Sequence, residues 1–165
     1  MPQRSYDFEF QAKIEWQDFG RMAYHAVFLP QNLLTQLPLR EFPRLRVDAE
    51  IRKCWLNAAL QSAKRGKYLL LSADFLKEAG LALGDVAEVR FNIADQTAVE
   101  VPRELEDAVL RHPHTRQIWE SLTPGRRRSH AYRVTKAVRP ENREQRVLEV
   151  LEDMHDEWNR RTQKP

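Results

Sequence analysis

Cysteine is nearly missing from this chain of 165 residues, because Cys54 is the only one. A single cysteine excludes an intramolecular disulfide, and this usage agrees with a reducing compartment. Long hydrophobic runs are missing too, so the sequence predicts no helix that spans a bilayer. The first ten residues, MPQRSYDFEF, are charged and contain no apolar stretch. We therefore expect no secretory signal peptide, no membrane insertion and a cytoplasmic location.

Patterns of catalytic residues are also lacking. The glycines Gly80, Gly84 and Gly125 stand alone, so the sequence contains no glycine-rich phosphate loop, and turns or helix ends account for them. No serine lies in a nucleophile-elbow context. We expect no catalytic residue and no cofactor, and interpret the chain as non-enzymatic.

Neither the cysteine nor the histidines form a pattern typical of a reactive or metal site. Cys54 has no Cys–His motif around it, so half-buried packing is the favoured interpretation. His112 and His114 flank a proline, and no other His or Cys stands at the spacing of a metal site. The sequence therefore predicts no metal. The four tryptophans are interpreted as core or groove residues rather than as a stacking platform.

The first part of the chain, up to about residue 95, carries the period-two pattern of β-strands. FEFQAKIEW alternates apolar residues from Phe8 to Trp16, and this predicts one half-buried strand. RLRVDAEI alternates Val47, Ala49 and Ile51 in the same way. The stretch KEAGLALGDVAEVRF, residues 77–91, predicts a helical turn that ends at Gly80, a Gly-Asp turn and a further strand.

Two stretches of this β-rich part align without a gap at a separation of 42 residues. In VFLPQNLLTQL and LLLSADFLKEA, Leu29 matches Leu71 and Leu34 matches Leu76. Each stretch predicts a strand, a helical turn and then another strand. We interpret this as an internal pseudo-repeat, although chance similarity of two such units stays an alternative. A true repeat predicts an approximate two-fold axis and a closed barrel formed by one chain.

After Val101-Pro102 the pattern changes to the helical period. RELEDAVLRH and HTRQIWESL each place apolar residues on one face, and Thr123 with Pro124 predicts the start of a third helix. A fourth helix begins near Pro140 and repeats Val147, Leu148, Leu151 and Met154. The fold class is therefore α+β, with a β-barrel domain over residues 1–98 and a helical segment over residues 99–165.

Positive charge is concentrated in one short stretch of the helical segment. Residues 126–146 contain 8 Lys or Arg and 2 Asp or Glu, whereas residues 1–125 contain 16 and 17. Arg126, His130 and Arg133 share one stripe of the predicted helix. The candidate anion- or nucleic-acid-binding residues are Arg126, Arg127, Arg128, Arg133, Lys136, Arg139, Arg143 and Arg146.

Two interpretations of this basic stretch stay open. In the first, it is a solvated face whose arginines pair with Glu141, Glu144 or the acidic tail and complement helix dipoles. In the second, it binds an anionic partner such as nucleic acid through phosphate contacts that carry no sequence information. Tyr132 is the one interleaved aromatic residue, and sparse aromatics are untypical of single-strand binding surfaces. The barrel itself is slightly acidic, so we expect it not to bind duplex DNA.

The chain resembles two known families. Residues 6–95 resemble a bacterial domain of unknown function that forms a small β-barrel, through FEFQAKIEW, VFLP, RVDAEI and YLLLSADFLKEAGLALGDVAEVRF. Residues 99–150 resemble the YdeI- or OmpD-associated family of bacteriocin-protection proteins. The matching features are a Val-Pro, the turn Leu122-Thr123-Pro124 and a stretch that carries Lys136, Arg139, Pro140, Glu141, Arg143 and Arg146. The sequence departs from the barrel pattern at Arg52-Lys53-Cys54, which has no glycine, so we expect a longer or differently twisted hairpin there.

The resemblance implies a double-split barrel, the architecture of AbrB- and MazE-like regulators, built here within one chain. It also implies a link to bacteriocin or cationic-peptide stress, with an unidentified partner. The leading interpretation is a cytoplasmic interaction or protection protein. Nucleic-acid binding through the basic helices is one alternative, and an uncharacterised enzyme or small-molecule binder is another.

Overall fold

The computed structural model describes residues 4–18 and 23–163, and the chain divides into two units, residues 1–96 and 97–165. The first unit is built from strands β1 (Phe8–Lys13), β2 (Glu15–Asp18), β3 (Ala23–Phe28), β4 (Arg46–Ile51), β5 (Cys54–Ala59), β6 (Gln61–Ala63), β7 (Gly66–Leu71) and β8 (Val86–Ile93), with helices α1 (Gln31–Leu34) and α2 (Ala73–Ala79). The strands form two antiparallel sheets of four. We call the sheet with the order β1-β8-β4-β5 sheet A and the sheet with the order β2-β3-β7-β6 sheet B.

The chain passes between the two sheets at two fully buried residues. Ile14 separates β1 from β2, and its backbone pairs with the turn before β8, donating to the carbonyl oxygen of Asp85 at 2.8 Å. Leu60 separates β5 from β6 in the same way and donates to the carbonyl oxygen of Leu45 at 2.8 Å. Both side chains are buried. Strands that switch sheets at such corners are typical of two sheets wrapped around one core.

The corner at Ile14 corrects one sequence prediction. FEFQAKIEW was expected to form one strand with Trp16 on its buried face. The structure has two strands, and the phase of burial reverses after Ile14, so that Trp16 is 51% exposed. Apolar alternation alone did not reveal the bend, because Ile14 fits the alternation of the first strand and also fills the corner.

The closed barrel that we expected does not form among the described residues. Each sheet has two edge strands, β1 and β5 in sheet A and β2 and β6 in sheet B, and no ladder of the described strands joins one sheet to the other. The two sheets instead cover a shared core, into which Phe91, Leu69 and Ile51 project. The prediction of a β-rich first unit is confirmed. The prediction of a closed barrel is wrong, because the corners at Ile14 and Leu60 interrupt the hydrogen-bond ladders.

The two copies of the pseudo-repeat pair with each other strand by strand. β3 pairs with β7 and β4 pairs with β8, and both pairs are antiparallel. In the first pair Val27 lies opposite Leu69, which is 42 residues further along the chain. Such self-pairing at the sequence offset agrees with a two-fold axis between the copies. The superposition of residues 26–51 on 69–93 stays a prediction.

The hairpin between β4 and β5 is a two-residue turn without glycine. Ile51 pairs with Cys54, and Arg52 and Lys53 have φ values of 48° and 64°. Positive φ at both central positions is the geometry that matches strand twist, although it costs non-glycine residues energy. The expected longer hairpin was therefore wrong. Arg52 also donates to the carbonyl oxygen of Gly80 at 2.9 Å, and this contact supports the turn.

The helix and turn before β8 confirm the interpretation of KEAGLALGDVAEVRF. The Ser72 hydroxyl accepts from the Phe75 amide at 3.1 Å and caps α2, which ends at Gly80 with φ of 64°. The Asp85 carboxylate accepts from the Ala82 amide at 2.9 Å and closes the Gly-Asp turn. Asp85 thus has the turn role that the sequence suggested.

The second unit consists, in its described part, of α3 (Arg103–Leu110), α4 (Pro113–Ser121), α5 (Pro124–Thr135) and α6 (Pro140–Thr162). A proline opens α4, α5 and α6 at the first helical position, where its missing N–H has no intrahelical acceptor to lose. The apolar faces meet in one cluster of Leu105, Val109, Ile118, Leu122, Ala131, Val134, Val147, Val150 and Met154. In α6 the buried stripe contains Val150, whereas Leu148 is 62% exposed, contrary to the sequence interpretation.

Candidate anion-binding groove

The basic stripe on α5 faces α6 and forms ion pairs with it. Arg126 contacts the Glu157 carboxylate at 2.5 Å, and Arg133 contacts Asp153 at 2.5 Å and Glu149 at 3.7 Å. Glu157 also receives a hydrogen bond from Arg161, and this bond, with the charges of Arg161 and Arg126, lowers the pKa of its carboxyl. These partners lie in the acidic part of α6.

His130 lies between the two pairs and is buried. Its Nδ1 has no hydrogen-bond partner among the residues that the structure describes. Burial lowers the pKa of the His130 ring, and the charges of Arg133 and Arg126 lower it further, although Asp153 and Glu157 raise it. The ring is therefore held neutral near pH 7 and serves the contact between the two helices rather than an anion site.

Arg127 and Arg128 are half-buried and hold backbone carbonyl groups. Arg127 donates to the carbonyl oxygen of Trp119 at 3.1 Å and to that of Glu120 at 2.8 Å, where α4 ends. Arg128 donates to the carbonyl oxygen of Ala98 at 2.9 Å. Arg127 thus satisfies carbonyls at a helix end, and Arg128 holds the segment before α3, so reversing the charge of either residue tests the fold as much as binding.

Arg143 holds the start of α6 against α3. Its guanidinium donates to both oxygens of the Glu104 carboxylate, at 2.9 and 3.1 Å, and to the carbonyl oxygen of Ala137 at 3.5 Å. The hydrogen bond from Arg143 lowers the pKa of the Glu104 carboxyl, with a further contribution from a backbone hydrogen bond. The bidentate geometry is the strong form of this pair. Five of the predicted site residues thus make structural contacts.

Lys136, Arg139 and Arg146 surround a groove at the junction of α5 and α6. The groove has a volume of about 690 Å³ and is lined by Arg133, Lys136, Ala137, Val138, Arg139, Asn142, Gln145, Arg146 and Glu149. Four cations and one carboxylate therefore face the same space. Arg146 contacts Glu149 at 2.7 Å, whereas Lys136 and Arg139 form no ion pair with any described residue. This space we call the junction groove.

The helix ends at the junction add to its electrostatics. Arg139 is the N-cap of the 23-residue α6, and its side chain makes no capping hydrogen bond. The amide end of a long helix carries partial positive charge that favours an anion and disfavours a nearby cation. Lys136, at the C-cap of α5, faces the opposite end of a dipole, which accounts for a lysine there. The helix dipole gives no such explanation for Arg139, which lines the junction groove.

The structure decides part of the choice between the two interpretations. The intrachain pairs of the first interpretation exist, and three of their acids, Glu149, Asp153 and Glu157, lie in the acidic tail that it named. The fourth acid, Glu104, lies on α3. They remove Arg126 and Arg143 from a free basic surface. Lys136 and Arg139 remain available to an anion. Arg133 and Arg146 also line the groove, but both contact carboxylates of the chain.

Sequence reasoning missed an exposed aromatic site on sheet A. The sequence interpretation made Trp55 a core or groove residue. In the structure Trp55 is 46% exposed and packs with Tyr6 and Arg4. The available signal was the alternation of β4 and β5, which places Trp55 opposite Glu50 on the outer face. Cys54 is half-buried against the core, as expected.

The histidines and helices give two further observations on the described residues. His114 packs against His155 and Trp158, and within residues 4–18 and 23–163 no three His, Cys, Asp or Glu side chains are arranged to hold a metal ion.

In the same ranges, no helix combines the length and apolarity needed to cross a membrane.

Comparison with known families gives one match in each unit. The family model described as bacteriocin-protection, YdeI or OmpD-associated, matches residues 98–156. The model of a domain of unknown function, DUF1905, matches residues 10–91. No curated protein matches the chain. The resemblance stated from the sequence motifs is therefore confirmed in both parts.

Proposed function

From the match of residues 98–156 to the family model described as bacteriocin-protection, YdeI or OmpD-associated, we propose that the chain is a non-enzymatic binding protein that acts in bacteriocin protection. Its place of action in this proposal is the cytoplasm, a reducing compartment with which the single cysteine, Cys54, agrees. The family description supports the link to bacteriocin protection. In this proposal the helical unit acts by binding an anionic partner in the junction groove.

The observation that carries the proposal is the pair Lys136 and Arg139. Both are exposed on the rim of a concave space that four cations line, and no described carboxylate neutralises either one. Unpaired cations gain little where they are, so an anionic group that contacts both gains Coulomb energy without first breaking an internal pair. A phosphate or carboxylate group of a macromolecule fits the charge and size of the groove.

Nucleic acid is the second candidate, because its phosphates offer this chemistry without sequence readout. A labelled duplex DNA titrated into the full chain at several salt concentrations tests it. Lys136→Ala with Arg139→Ala should weaken binding and reduce the log–log salt slope by about 2, since each cation lost removes close to one phosphate contact.

The matched control replaces two exposed basic residues outside the groove on α3. Arg103→Ala with Arg111→Ala removes the same charge and should leave the affinity and slope nearly unchanged. Equal losses in both double variants would show that net charge alone drives binding. Binding of DNA by neither the chain nor the variants would remove nucleic acid as the partner and leave a protein or a small anion.

A thermal-shift screen with nucleotides and common metabolites tests the remaining alternative, an uncharacterised enzyme or small-molecule binder. A stabilisation by one metabolite that persists in the Lys136→Ala, Arg139→Ala variant would support that alternative against the groove. Stabilisation by polyanions, lost in the variant, supports the proposal.

For the first unit we propose a double-split arrangement, in which an approximate two-fold axis relates the two copies of the pseudo-repeat. The self-pairing of β3 with β7 and of β4 with β8 supports it. Superposition of residues 26–51 on 69–93 in an experimental structure tests the two-fold axis.

A further inference from the structure

A short N-terminal segment, residues 4–7, lies over the outer face of sheet A. The side-chain amide of Asn92 on β8 holds it at two points, donating to the carbonyl oxygen of Ser5 at 2.9 Å and accepting from the Asp7 amide at 2.7 Å. The segment therefore has a defined path before β1 begins. Both hydrogen bonds are exposed, so displacing the residues before Tyr6 breaks little structure.

At the end of this path the Arg4 side chain lies on an aromatic ring. Its Cζ is 3.8 Å from the centroid of the Trp55 ring, within the range of a cation–π contact. The Tyr6 ring lies beside Trp55, with 6.3 Å between the centroids. A hollow of about 350 Å³ between them is lined by Arg4, Ser5, Tyr6, Asp48, Trp55 and Asn92.

Carboxylates support the aromatic residues. Tyr6 donates its hydroxyl to the Glu50 carboxylate, and the Asp48 carboxylate lines the hollow and accepts from Asn57 at 2.6 Å. Burial, with the hydrogen bond to Glu50 and its charge, raises the pKa of the Tyr6 hydroxyl, so this group stays a donor at neutral pH. Two aromatic faces with two carboxylates behind them form a surface that favours a planar cation.

We propose that this hollow is a binding site for an arginine side chain of a basic peptide, and that Arg4 is its internal occupant. Arg4 shows the chemistry that the site accepts, because its guanidinium lines the hollow and lies on the Trp55 ring. An incoming arginine replaces Arg4 on Trp55 and keeps the carboxylates in the same role. The site therefore binds cations, whereas the junction groove of the helical unit binds anions, and neither proposal depends on the other.

The test uses the full chain and a rhodamine-labelled, end-blocked peptide of alternating glycine and arginine. The chain should bind this peptide and not the same peptide with citrulline, which keeps the shape of arginine without its charge. Arg4→Ala should tighten binding roughly two- to fivefold, the factor for releasing an exposed cation–π contact. Trp55→Ala should weaken the binding by at least the same factor, and Trp55→Phe should restore part of it.

Trp16→Ala is the matched control, since Trp16 is an equally exposed tryptophan on sheet B and packs on His25. It should leave peptide affinity unchanged. Equal losses in the Trp16 and Trp55 variants, unchanged or weaker binding in Arg4→Ala, or equal binding of the citrulline peptide would each overturn the proposal.

A second measurement keeps the test decisive should Trp55→Ala lose its fold. Because Arg4 lies on the Trp55 ring, its Nε–Hε NMR signal should be shifted by the ring current, and saturation with the arginine peptide should move it to the position seen in free arginine side chains. A peptide that binds without moving this signal binds elsewhere, and the proposal is then wrong.

Discussion

Phe91 is the residue whose truncation tests the core of the first unit most sharply. It lies on β8, the strand between β1 and β4, and is 1% exposed. Its ring stacks on Phe8 with 4.9 Å between centroids and meets Phe10 edge-on at 6.2 Å. On β4 its register partner is Ala49, which is too small to fill a void.

Phe91→Ala should therefore lower the free energy of unfolding by about 3–5 kcal/mol, which combines lost burial with an unfilled cavity. The two aromatic contacts account for roughly 0.5–1.5 kcal/mol each within that loss. Val86→Ala on the same strand is the control, because Val86 is 60% exposed and its truncation should cost less than about 0.5 kcal/mol.

Urea denaturation followed by tryptophan fluorescence measures both values. Replacing Trp119 and Trp158 by phenylalanine leaves Trp16 and Trp55, so the signal then reports the first unit. This separation matters because a chain of two units need not unfold in one step. A loss below about 1 kcal/mol for Phe91→Ala would place Phe91 outside the core and refute the register of β8.

Three further predictions concern other contacts. Because the pKa of His130 is lowered in the folded state, its contribution to stability is complete above the unfolded pKa of about 6.5 and is lost as the pH falls towards the folded value. The free energy of unfolding of the unaltered chain should show this loss between pH 7.5 and pH 5.5, whereas that of His130→Gln should not. An equal change in both proteins contradicts the prediction. Lys53→Gly should raise the free energy of unfolding by about 1 kcal/mol, since φ of 64° costs a lysine more than a glycine, and no gain in the same assay contradicts a left-handed turn. A double-mutant cycle of Arg143→Ala and Glu104→Ala should give a coupling of up to about 1 kcal/mol at neutral pH, and zero coupling contradicts the bidentate pair.

Periodicity identified the β-rich first unit, several of its strands and the helices of the second unit, but not the short strand β6 or the bends between strands. The alternation around Val47, Ala49 and Ile51 marked β4 correctly, and the prolines marked the helix starts. Ile14 could not be recognised as a corner, because a buried corner residue and a buried strand residue have the same character. The closed barrel failed for this reason, since closure depends on where strands change sheet.

The candidate site shows a similar division. Charge clustering located the basic stretch, and the helical stripe of Arg126, His130 and Arg133 was correct. The sequence did not indicate which cations pair, since the acids that neutralise Arg143 and Arg126 lie 39 and 31 residues away. Only tertiary contacts distinguish Lys136 and Arg139 from the structural arginines. In the same way, the Trp55 site combines residues from β4, β5 and the segment before β1.

The most direct test of the central claim is the survival of a bacteriocin-sensitive bacterial strain that expresses this chain. The account predicts that the full chain raises survival, that Lys136→Ala with Arg139→Ala removes the gain, and that Arg103→Ala with Arg111→Ala retains it at equal expression. Full protection by the groove variant would contradict the claim that the junction groove holds the partner. No protection by the unaltered chain would contradict the proposed function itself.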